Sequence, residues 1–405
     1  MKKVLKLILP IALLVLALAF VTACRNDDEP AAVVEDDATP EPVDEVEDVN
    51  EEDDVNDEDD EDEYVPDDVV NADWVRIALV AHSPDSILDD FSFNAGAWVG
   101  IQAFLATHGL PAGNADFFQP HEASDVARID LINSVIESGF NILILPGFHF
   151  ESSLYEAQDL FPDVKFVLLD ASPRNDGVAR VESNVAAIHY AEHEAGFLAG
   201  YAAVMEGHTS LGFMGGIAVP AVVRFGHGFL QGAEHAANSL GLESGEVSVN
   251  YMYLGGFAPD PAHTTTAAAW FAGGTEVIFA AAGGAGGSVK AGAEGADALV
   301  IGVDVDQSTL SDTVITSAMK ALDVSVYDML TDFLNGQFRG GDVLMFNAAV
   351  NGIGLPMDTS RFGTFTQAQY DAIFNQLASG AVAVNSSLEM GDILPGLELV
   401  TVNDM

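Results

Sequence analysis

The runs NILIL (residues 141–145) and KFVLL (residues 165–169) decide the fold class of this 405-residue chain. Each run is almost wholly apolar and has the length of a strand, without the alternation of a half-exposed strand. That pattern is typical of strands buried on both faces of a parallel sheet. A segment with apolar residues on one helical face, residues 125–138, lies just before the first run and stops at Gly139.

The same alternation of strand and helix continues along most of the chain. The predicted strands span residues 74–81, 141–145, 165–169, 210–214, 247–253, 276–281 and 298–303. The predicted helices span residues 92–108, 125–138, 192–205, 221–239, 261–272, a segment after 286, 324–334 and 367–377. This repetition predicts an α/β fold with parallel sheets. About 330 residues exceed one ordinary core, so we expect two lobes.

The first 24 residues predict export. Lys2, Lys3 and Lys6 precede an apolar run over residues 7–20, and small residues lead to Cys24, the single cysteine of the chain. This is the layout of a bacterial secretory signal. An apolar run of about 14 residues is shorter than the roughly 20 that span a bilayer, which disfavours an uncleaved anchor. The ending resembles a lipobox, so Cys24 is the expected lipidation site and residues 1–24 the signal peptide.

The segment after Cys24 is predicted to be a tether. Residues 27–68 contain 24 acidic residues and no Lys or Arg. Such a run buries too little apolar surface to offset chain entropy, so residues 25–73 are expected to be a disordered, self-repelling spacer. A calcium-binding or partner-binding tail is the alternative, but the run lacks the glycine-centred spacing of a calcium-binding hand.

The remaining body is also acidic. It carries 39 acidic and 10 basic residues, a net charge near −29. We therefore expect no nucleic-acid partner. With one cysteine in the chain, no intramolecular disulfide is expected.

Polar residues follow the predicted strands, at the edge where open α/β sheets bind ligands. The polar residues are Asp85, Asp89, Asp90 and Asn94 after the first strand, Asp170, and Asp304 with Asp306. The aromatic Phe93 and the glycine-rich loop Gly283–Gly287 lie at the same edge. Carboxylates accept hydrogen bonds from hydroxyl and ring N–H groups, and an aromatic ring can stack on a planar ligand. This set favours a neutral ligand rich in hydroxyls and planar rings.

Several motifs occur in one order along the chain. They are DDFSFN (89–94) with Trp98 and Gly100, PGF (146–148), FVLLD (166–170), EAGFLAG (194–200), GFMGG (212–216), RFGHGF (224–229), IGVDVDQ (301–307), TSAMK (316–320) and NG (351–352). Together they resemble the basic membrane protein (BMP) family of lipoproteins. These are substrate-binding proteins of ABC transporters, and characterised members bind purine nucleosides.

The resemblance implies the type I periplasmic-binding-protein fold. Two Rossmann-like lobes with parallel sheets are then joined by three crossovers around a central ligand cleft. The crossovers are expected near residues 182–188, 313–320 and 342–347. Lobe 1 would comprise residues 74–185 and 318–342, and lobe 2 residues 186–317 and 343–405.

The resemblance also implies ligand-binding roles. Phe93 and Phe257 would sandwich the base, with Phe225 as the alternative to Phe257. Asp170, Asn94 and Asp85 would contact the base edge. Gly284, Asp304 and Lys320 would hold the ribose.

Two departures and several structural alternatives stay open. The family carries a Thr-Asp pair after the first strand, whereas this chain has Ala81-His82-Ser83-Pro84-Asp85, and Phe91 replaces a basic residue. Asp170 and Asp304 could instead cap helices. Phe93 could be a core residue, and Lys320 a surface lysine.

The sequence thus predicts a monomeric, lipid-anchored solute-binding protein outside the bacterial cytoplasm. It would capture a nucleoside, a purine nucleoside by the resemblance, and deliver it to an ABC transporter permease, with no cofactor, metal or catalysis. The alternative on the same fold is a receptor for a sugar or signalling molecule. A secreted nucleoside hydrolase would need a calcium-holding cluster, for which Asp85, Asp89 and Asp90 are the candidates.

Overall fold

The computed structural model describes residues 74–88 and 93–404. The predicted signal peptide (1–24), Cys24 and the tether (25–73) lie outside the described residues, as do Asp89–Ser92 of the first motif. None of the helices in the described ranges is both long enough and apolar enough to cross a bilayer.

Strands and helices alternate along the described chain. The strands are β1 (Ile77–Val80), β2 (Ala115–Phe118), β3 (Ile142–Pro146), β4 (Lys165–Leu169), β5 (Arg174–Asn175), β6 (Val178–Ala179), β7 (Val185–Tyr190), β8 (Ser210–Gly215), β9 (Val247–Tyr253), β10 (Val277–Ala281), β11 (Leu299–Asp304), β12 (Val314–Lys320), β13 (Val343–Phe346), β14 (Ile353–Gly354) and β15 (Val400–Asp404). The helices are α1 (Phe93–Thr107), α2 (Asp125–Glu137), α3 (Glu151–Leu160), α4 (Glu192–Glu206), α5 (Pro220–Leu240), α6 (Pro261–Ala272), α7 (Ala285–Ala296), α8 (Leu322–Leu334), α9 (Gln367–Ala378) and α10 (Met390–Ile393).

Local chemistry fixes where several helices begin. The Ser124 hydroxyl accepts from the backbone N–H of Ala127 at the start of α2, and the Asp260 carboxylate accepts from Ala262 ahead of α6. Thr366 and Gln369 form a reciprocal capping box at α9. These side chains satisfy N–H groups that have no partner inside the helix.

The strands form two large sheets. The first has the order β13-β7-β4-β3-β1-β2 and is parallel throughout. The second has the order β14-β12-β11-β10-β8-β9-β15 and is parallel except for the β12–β14 pair. The chain passes between the sheets three times, as expected.

The three passages begin where β7, β12 and β13 end. β7 pairs with β4 through Ile188 and with β13 through Tyr190, so the chain leaves the first sheet after Tyr190 and not after residue 185. β12 stays in the second sheet through Lys320, and β13 returns to the first sheet until Phe346. Residues 320 and 346 fall within the predicted crossover ranges 313–320 and 342–347, and the strands extend a few residues beyond the predicted lobe boundaries. These segments are complete sheet strands, because ladder hydrogen bonds hold each one to its neighbours.

Helices cover both faces of each sheet. One core cluster includes Ile77 of β1 and Phe279 of β10, and so draws on both sheets. A second packs the first sheet against α2 and α3, and a third packs the second sheet against α6 and α7. Burial on both faces explains the continuous apolar runs in the sequence.

Helices α4 and α5 approach each other through glycines. The four contacts pair a glycine with a carbonyl oxygen of the other helix: Gly196 with Phe225, Gly200 with Phe229, Gly228 with His193 and Gly232 with Phe197. A Cβ at any of these glycines would overlap that oxygen. The backbones can therefore come this close only where side chains are missing.

Gly200→Ala tests this packing. We expect the free energy of unfolding to fall by about 1–3 kcal/mol, since the methyl group must push two helices apart. Gly295→Ala in α7 is the matched control, because a Cβ there meets no atom within 4 Å. The control should be neutral or stabilising by up to about 1 kcal/mol. Urea unfolding would refute the packing argument if both variants gave the same midpoint.

Candidate functional site

The Lys320 side chain joins the carboxyl ends of both sheets. Its Nζ lies 2.5 Å from Oδ2 of Asp170, which follows β4 in the first sheet. Oδ1 of Asp304, the last residue of β11 in the second sheet, is 3.6 Å away. Oε1 of Glu192, at the start of α4, is 3.5 Å away. We call these four residues the Lys320 cluster.

The Lys320 cluster is buried. The side chains of Lys320 and Glu192 are each 2% exposed, and those of Asp170 and Asp304 are 11% and 14% exposed. Arg224 donates from Nη1 to Oε2 of Glu192 at 3.3 Å. Two cations thus face three carboxylates, and this group carries one net negative charge when all five are ionised.

Burial and charge set the protonation states of the cluster. Burial alone would lower the pKa of Lys320, but Asp170, Asp304 and Glu192 outweigh it and the pKa is raised. Lys320 therefore stays charged. Burial raises the pKa of Asp170 to about 6; the Lys320 charge opposes this shift, and the negative charge of Glu192 adds to it. Burial is the larger effect, so the Asp170 carboxyl holds a proton to a higher pH than an exposed aspartate does.

Three aromatic rings surround the same ammonium. Lys320 Nζ lies 5.0 Å from the ring centroid of Phe93, 5.2 Å from that of Phe225 and 5.5 Å from that of Tyr190. These distances fall within the range of cation–π attraction. The hydroxyl of Tyr190 is fixed by a 2.5 Å hydrogen bond with Ser325 Oγ. Aromatic faces and charges therefore converge on one point.

Asp170 presents an acceptor that the described protein does not use. Its Oδ2 bonds Lys320, whereas its buried Oδ1 has no hydrogen-bond partner in the described structure. Asp170 and Asp304 both have left-handed backbones, with φ of 63° and 68°. Aspartate adopts this conformation more readily than most other non-glycine residues do. An unsatisfied buried oxygen favours a ligand that donates a hydrogen bond there.

The structure brings together four of the sequence-predicted site residues: Phe93, Asp170, Asp304 and Lys320. Asn94 is buried beside Phe93 at the start of α1. Asp85 is exposed in the loop after β1 and is not among the described carboxylates within 4 Å of Lys320 Nζ. Lys320 itself is a buried residue and not a surface lysine.

Phe257 and Gly284 lie at the carboxyl edge of the second sheet. The Phe257 ring occupies the space that a side chain would need at Gly216, just after β8. Its carbonyl accepts from the backbone N–H of Ala285, next to Gly284. The glycine-rich loop therefore serves partly to seat this aromatic residue.

Glu192, Tyr190 and Arg224 were missed by the sequence reasoning. Tyr190 is the last residue of β7, Glu192 is the first residue of α4, and Arg224 lies on α5, which packs against α4. The sequence predicted a crossover where β7 runs, so no strand end was expected beside these residues. The available signal was the pair of acidic residues, Glu192 and Glu194, in the first turn of a helix that is mostly apolar after it.

Lys320→Met should destabilise the fold strongly. Removing the ammonium leaves Asp170, Glu192 and Asp304 buried around an apolar side chain, which costs about 3–5 kcal/mol of unfolding free energy. Lys165→Met is the control, because Lys165 begins β4, at the opposite end of that strand from Asp170. Its Nζ lies 5.8 Å from the ring centroid of Phe338. Urea unfolding should show a change below about 1 kcal/mol for the control. Equal losses in the two variants would contradict the assigned role of Lys320.

Asp170 should give the stability a pH dependence. Folded Asp170 holds its proton up to about pH 6, whereas the unfolded carboxyl loses it near its ordinary pKa of 3.8. Raising the pH through this window therefore destabilises the folded wild type, and Asp170→Asn lacks that loss. We expect the stability of the wild type minus that of Asp170→Asn to fall between pH 4 and pH 6 in urea titrations.

Asp159→Asn is the opposite-sign control for this titration. A hydrogen bond from Arg180 holds the pKa of the Asp159 carboxyl below its usual range. The ionised Asp159 carboxylate therefore adds to the free energy of unfolding above the ordinary pKa of a carboxyl, and this stabilisation is lost as the pH falls. The stability of the wild type minus that of Asp159→Asn should not decrease as the pH rises from 4 to 6. A flat profile for Asp170→Asn would contradict the raised pKa.

Sequence comparisons relate the chain to binding proteins. Residues 75–386 match the Bmp family, described as ABC transporter substrate-binding protein PnrA-like. The ABC transporter nucleoside-binding protein BmpA of Lactococcus lactis subsp. cremoris is 29% identical over 293 residues, covering 67% of this chain and 79% of that protein. Basic membrane protein A of Borreliella burgdorferi is 24% identical, covering 75% of this chain and 87% of its own length.

Two solved structures of ABC transporter solute-binding proteins share this fold. One from Aeropyrum pernix K1 superposes with a TM-score of 0.67 at 20% identity, covering 80% of this chain and 98% of that one. One from Conexibacter woesei DSM 14684 superposes with a TM-score of 0.62 at 22% identity, covering 77% and 99%. The predicted type I periplasmic-binding architecture is confirmed. With most of its length matched by the family, the chain belongs to the Bmp family of PnrA-like ABC transporter substrate-binding proteins.

Proposed function

We propose that this protein captures a nucleoside, with purines preferred, between the carboxyl ends of its two sheets and delivers it to a membrane permease. The observation that carries the proposal is the Lys320 cluster, in which the free Oδ1 of Asp170 lies in a buried site lined by Phe93. The nucleoside-binding name of the L. lactis relative supports the ligand class.

The charge of the cluster favours a neutral ligand. Three carboxylates facing two cations repel an added phosphate, and burial weakens the screening of that repulsion by water and salt. Hydroxyl and ring N–H groups, in contrast, find acceptors at Asp170 and Asp304. A nucleoside meets this requirement and a nucleotide does not.

The residues divide between the two parts of such a ligand. Phe93 and Phe257 supply the aromatic faces for the base, and Asp170 and Asn94 contact its edge. Gly284, Asp304 and Lys320 hold the ribose. A ligand that touches both sheets favours the closed arrangement of the lobes by its differential affinity, and the permease recognises that arrangement.

The proposal includes location. A lipid on Cys24 holds the protein as a monomer on the outer face of the bacterial cell membrane, and the acidic segment 25–73 spaces the lobes from the bilayer. The lobes bind and release the ligand without making or breaking a bond.

Calorimetric titration of the full chain in mild detergent tests the ligand class. The protein is unfolded and refolded first, which removes any carried-over ligand. Adenosine, guanosine, inosine, cytidine, uridine, ribose and adenosine 5′-monophosphate are the probes. We expect saturable binding of at least one purine nucleoside, and none of ribose or the nucleotide. Saturable binding heat with ribose and with no other probe would favour the sugar receptor. No binding heat with any nucleoside would overturn the proposal.

Phe93→Ala tests the aromatic contribution. Loss of the stacked ring should weaken nucleoside binding at least ten-fold, and Phe93→Tyr, which keeps the ring face, should stay within about three-fold of the wild type. Equal affinities of Phe93→Ala and the wild type would remove Phe93 from the site.

A further inference from the structure

Glu192 supports the Lys320 cluster from the inside of the protein. Its side chain is 2% exposed, whereas those of Asp170 and Asp304 are 11% and 14% exposed. Its two oxygens are divided between two cations: Oε1 lies 3.5 Å from Lys320 Nζ, and Oε2 accepts from Arg224 Nη1 at 3.3 Å. Because burial keeps Glu192 from touching a ligand, it acts on one only through Lys320.

The packing of α4 against α5 fixes the Glu192–Arg224 pair. Two of the close glycine contacts between these helices involve the carbonyl oxygens of His193 and Phe225. These two residues directly follow Glu192 and Arg224 in the sequence. The backbone at both ends of the ion pair is thus held by helix packing, although the Arg224 side chain itself is 26% exposed. A supporting layer of this kind keeps a binding group in one geometry.

The ammonium of Lys320 has three N–H donors and faces three carboxylates. Asp170 holds it most closely, through Oδ2 at 2.5 Å, with Glu192 and Asp304 at 3.5 Å and 3.6 Å. Oδ1 of Asp170 has no hydrogen-bond partner among the described residues. An ammonium released from Glu192 would be drawn further toward Asp170, where a second donor can reach Oδ1. The attraction of Glu192 for the ammonium therefore keeps that acceptor open.

We propose that Glu192, held by Arg224, is a positioning residue that keeps the Lys320 ammonium from closing over Oδ1 of Asp170. The inference rests on the proposed function, since this oxygen is the acceptor offered to a hydroxyl or ring N–H of a nucleoside. Arg224 sets the strength of the effect, because its positive charge offsets part of the attraction between Glu192 and Lys320. Neither Glu192 nor Arg224 needs to contact the ligand.

The charges around Asp170 make the role of Glu192 measurable. Burial raises the pKa of Asp170 to about 6, the charge of Lys320 opposes this shift, and the charge of Glu192 adds to it. His189 on β7 also opposes the shift, and Asp304 on β11 faces the same ammonium. Burial lowers the pKa of His189 itself. Variants that leave His189 unchanged can therefore be compared directly, since its own titration is common to all of them.

The test is a set of calorimetric titrations of the refolded full chain with adenosine and inosine between pH 5 and pH 8. Wild-type affinity should fall as the pH drops and Asp170 takes up a proton. Glu192→Gln lets Lys320 close over Oδ1, so binding at pH 8 should weaken about five-fold or more. The midpoint of its affinity–pH curve should move down by about 0.5 pH unit or more. Arg224→Met leaves the Glu192 charge shared with Lys320 alone, so its midpoint should move up.

Two further variants calibrate the shifts. Arg224→Lys restores a cation beside Glu192 and should return the midpoint toward the wild-type value. Arg180→Met is the matched control, because the Arg180 side chain is 32% exposed and pairs with Asp159 and Glu182, which lie outside the Lys320 cluster. The midpoint of the control should equal that of the wild type.

The outcomes separate this inference from the proposed function. A wild type that binds neither nucleoside at any pH overturns the proposed function. A wild type that binds, with the same midpoint in Glu192→Gln and Arg224→Met, overturns the inference alone. Midpoints that move in one direction in both variants also overturn it, because a general loss of stability would have that effect. Thermal unfolding verifies that each variant is folded. If Glu192→Gln does not fold, the comparison of Arg224→Met with Arg224→Lys decides, since Arg224 is partly exposed.

Discussion

A single buried ammonium constrains the arrangement of this molecule. Lys320 ends a strand of the second sheet, and its closest carboxylate follows a strand of the first. Removing a charge from water costs several kcal/mol, which only well-placed opposite charges offset. The carboxyl ends of the two sheets must therefore meet at Lys320. Phe93, Tyr190 and Phe225 complete this meeting point, because aromatic faces are the apolar surfaces that best tolerate a nearby cation.

Much of the fold could be predicted from the sequence because both sheets are covered on two faces. Continuous apolar runs then mark the strands, and β9 and α6 lie within the predicted bounds. β2 was missed because ADFF is short and half-exposed. The strands that lead into the passages were missed for another reason. Only pairing across the sheet shows that β7, β12 and β13 are strands, and such non-local partners leave little trace in a single sequence.

The site was predictable to the extent that it lies at strand ends. Asp170, Asp304 and Lys320 were found there, and the structure brings them together. Glu192 and Tyr190 escaped because they follow a strand that was taken for a crossover. Asp85 is a different case. Loop length decides where the residues Ala81–Asp85 lie, and spacing alone could not show that Asp85 is exposed and apart from the Lys320 cluster.

The left-handed backbones of Asp170 and Asp304 restrict how the site can evolve. Glycine, asparagine and aspartate adopt this conformation readily, whereas other side chains pay a steric cost of order 1–2 kcal/mol. Of these three residues only aspartate carries a charge. Descendants of this protein can therefore discharge either position by one conservative exchange to asparagine. Substitution of either aspartate by glutamate or alanine would strain the backbone, because those residues do not favour the left-handed conformation. Relatives with altered ligand preference should then differ at these two positions by amide for acid.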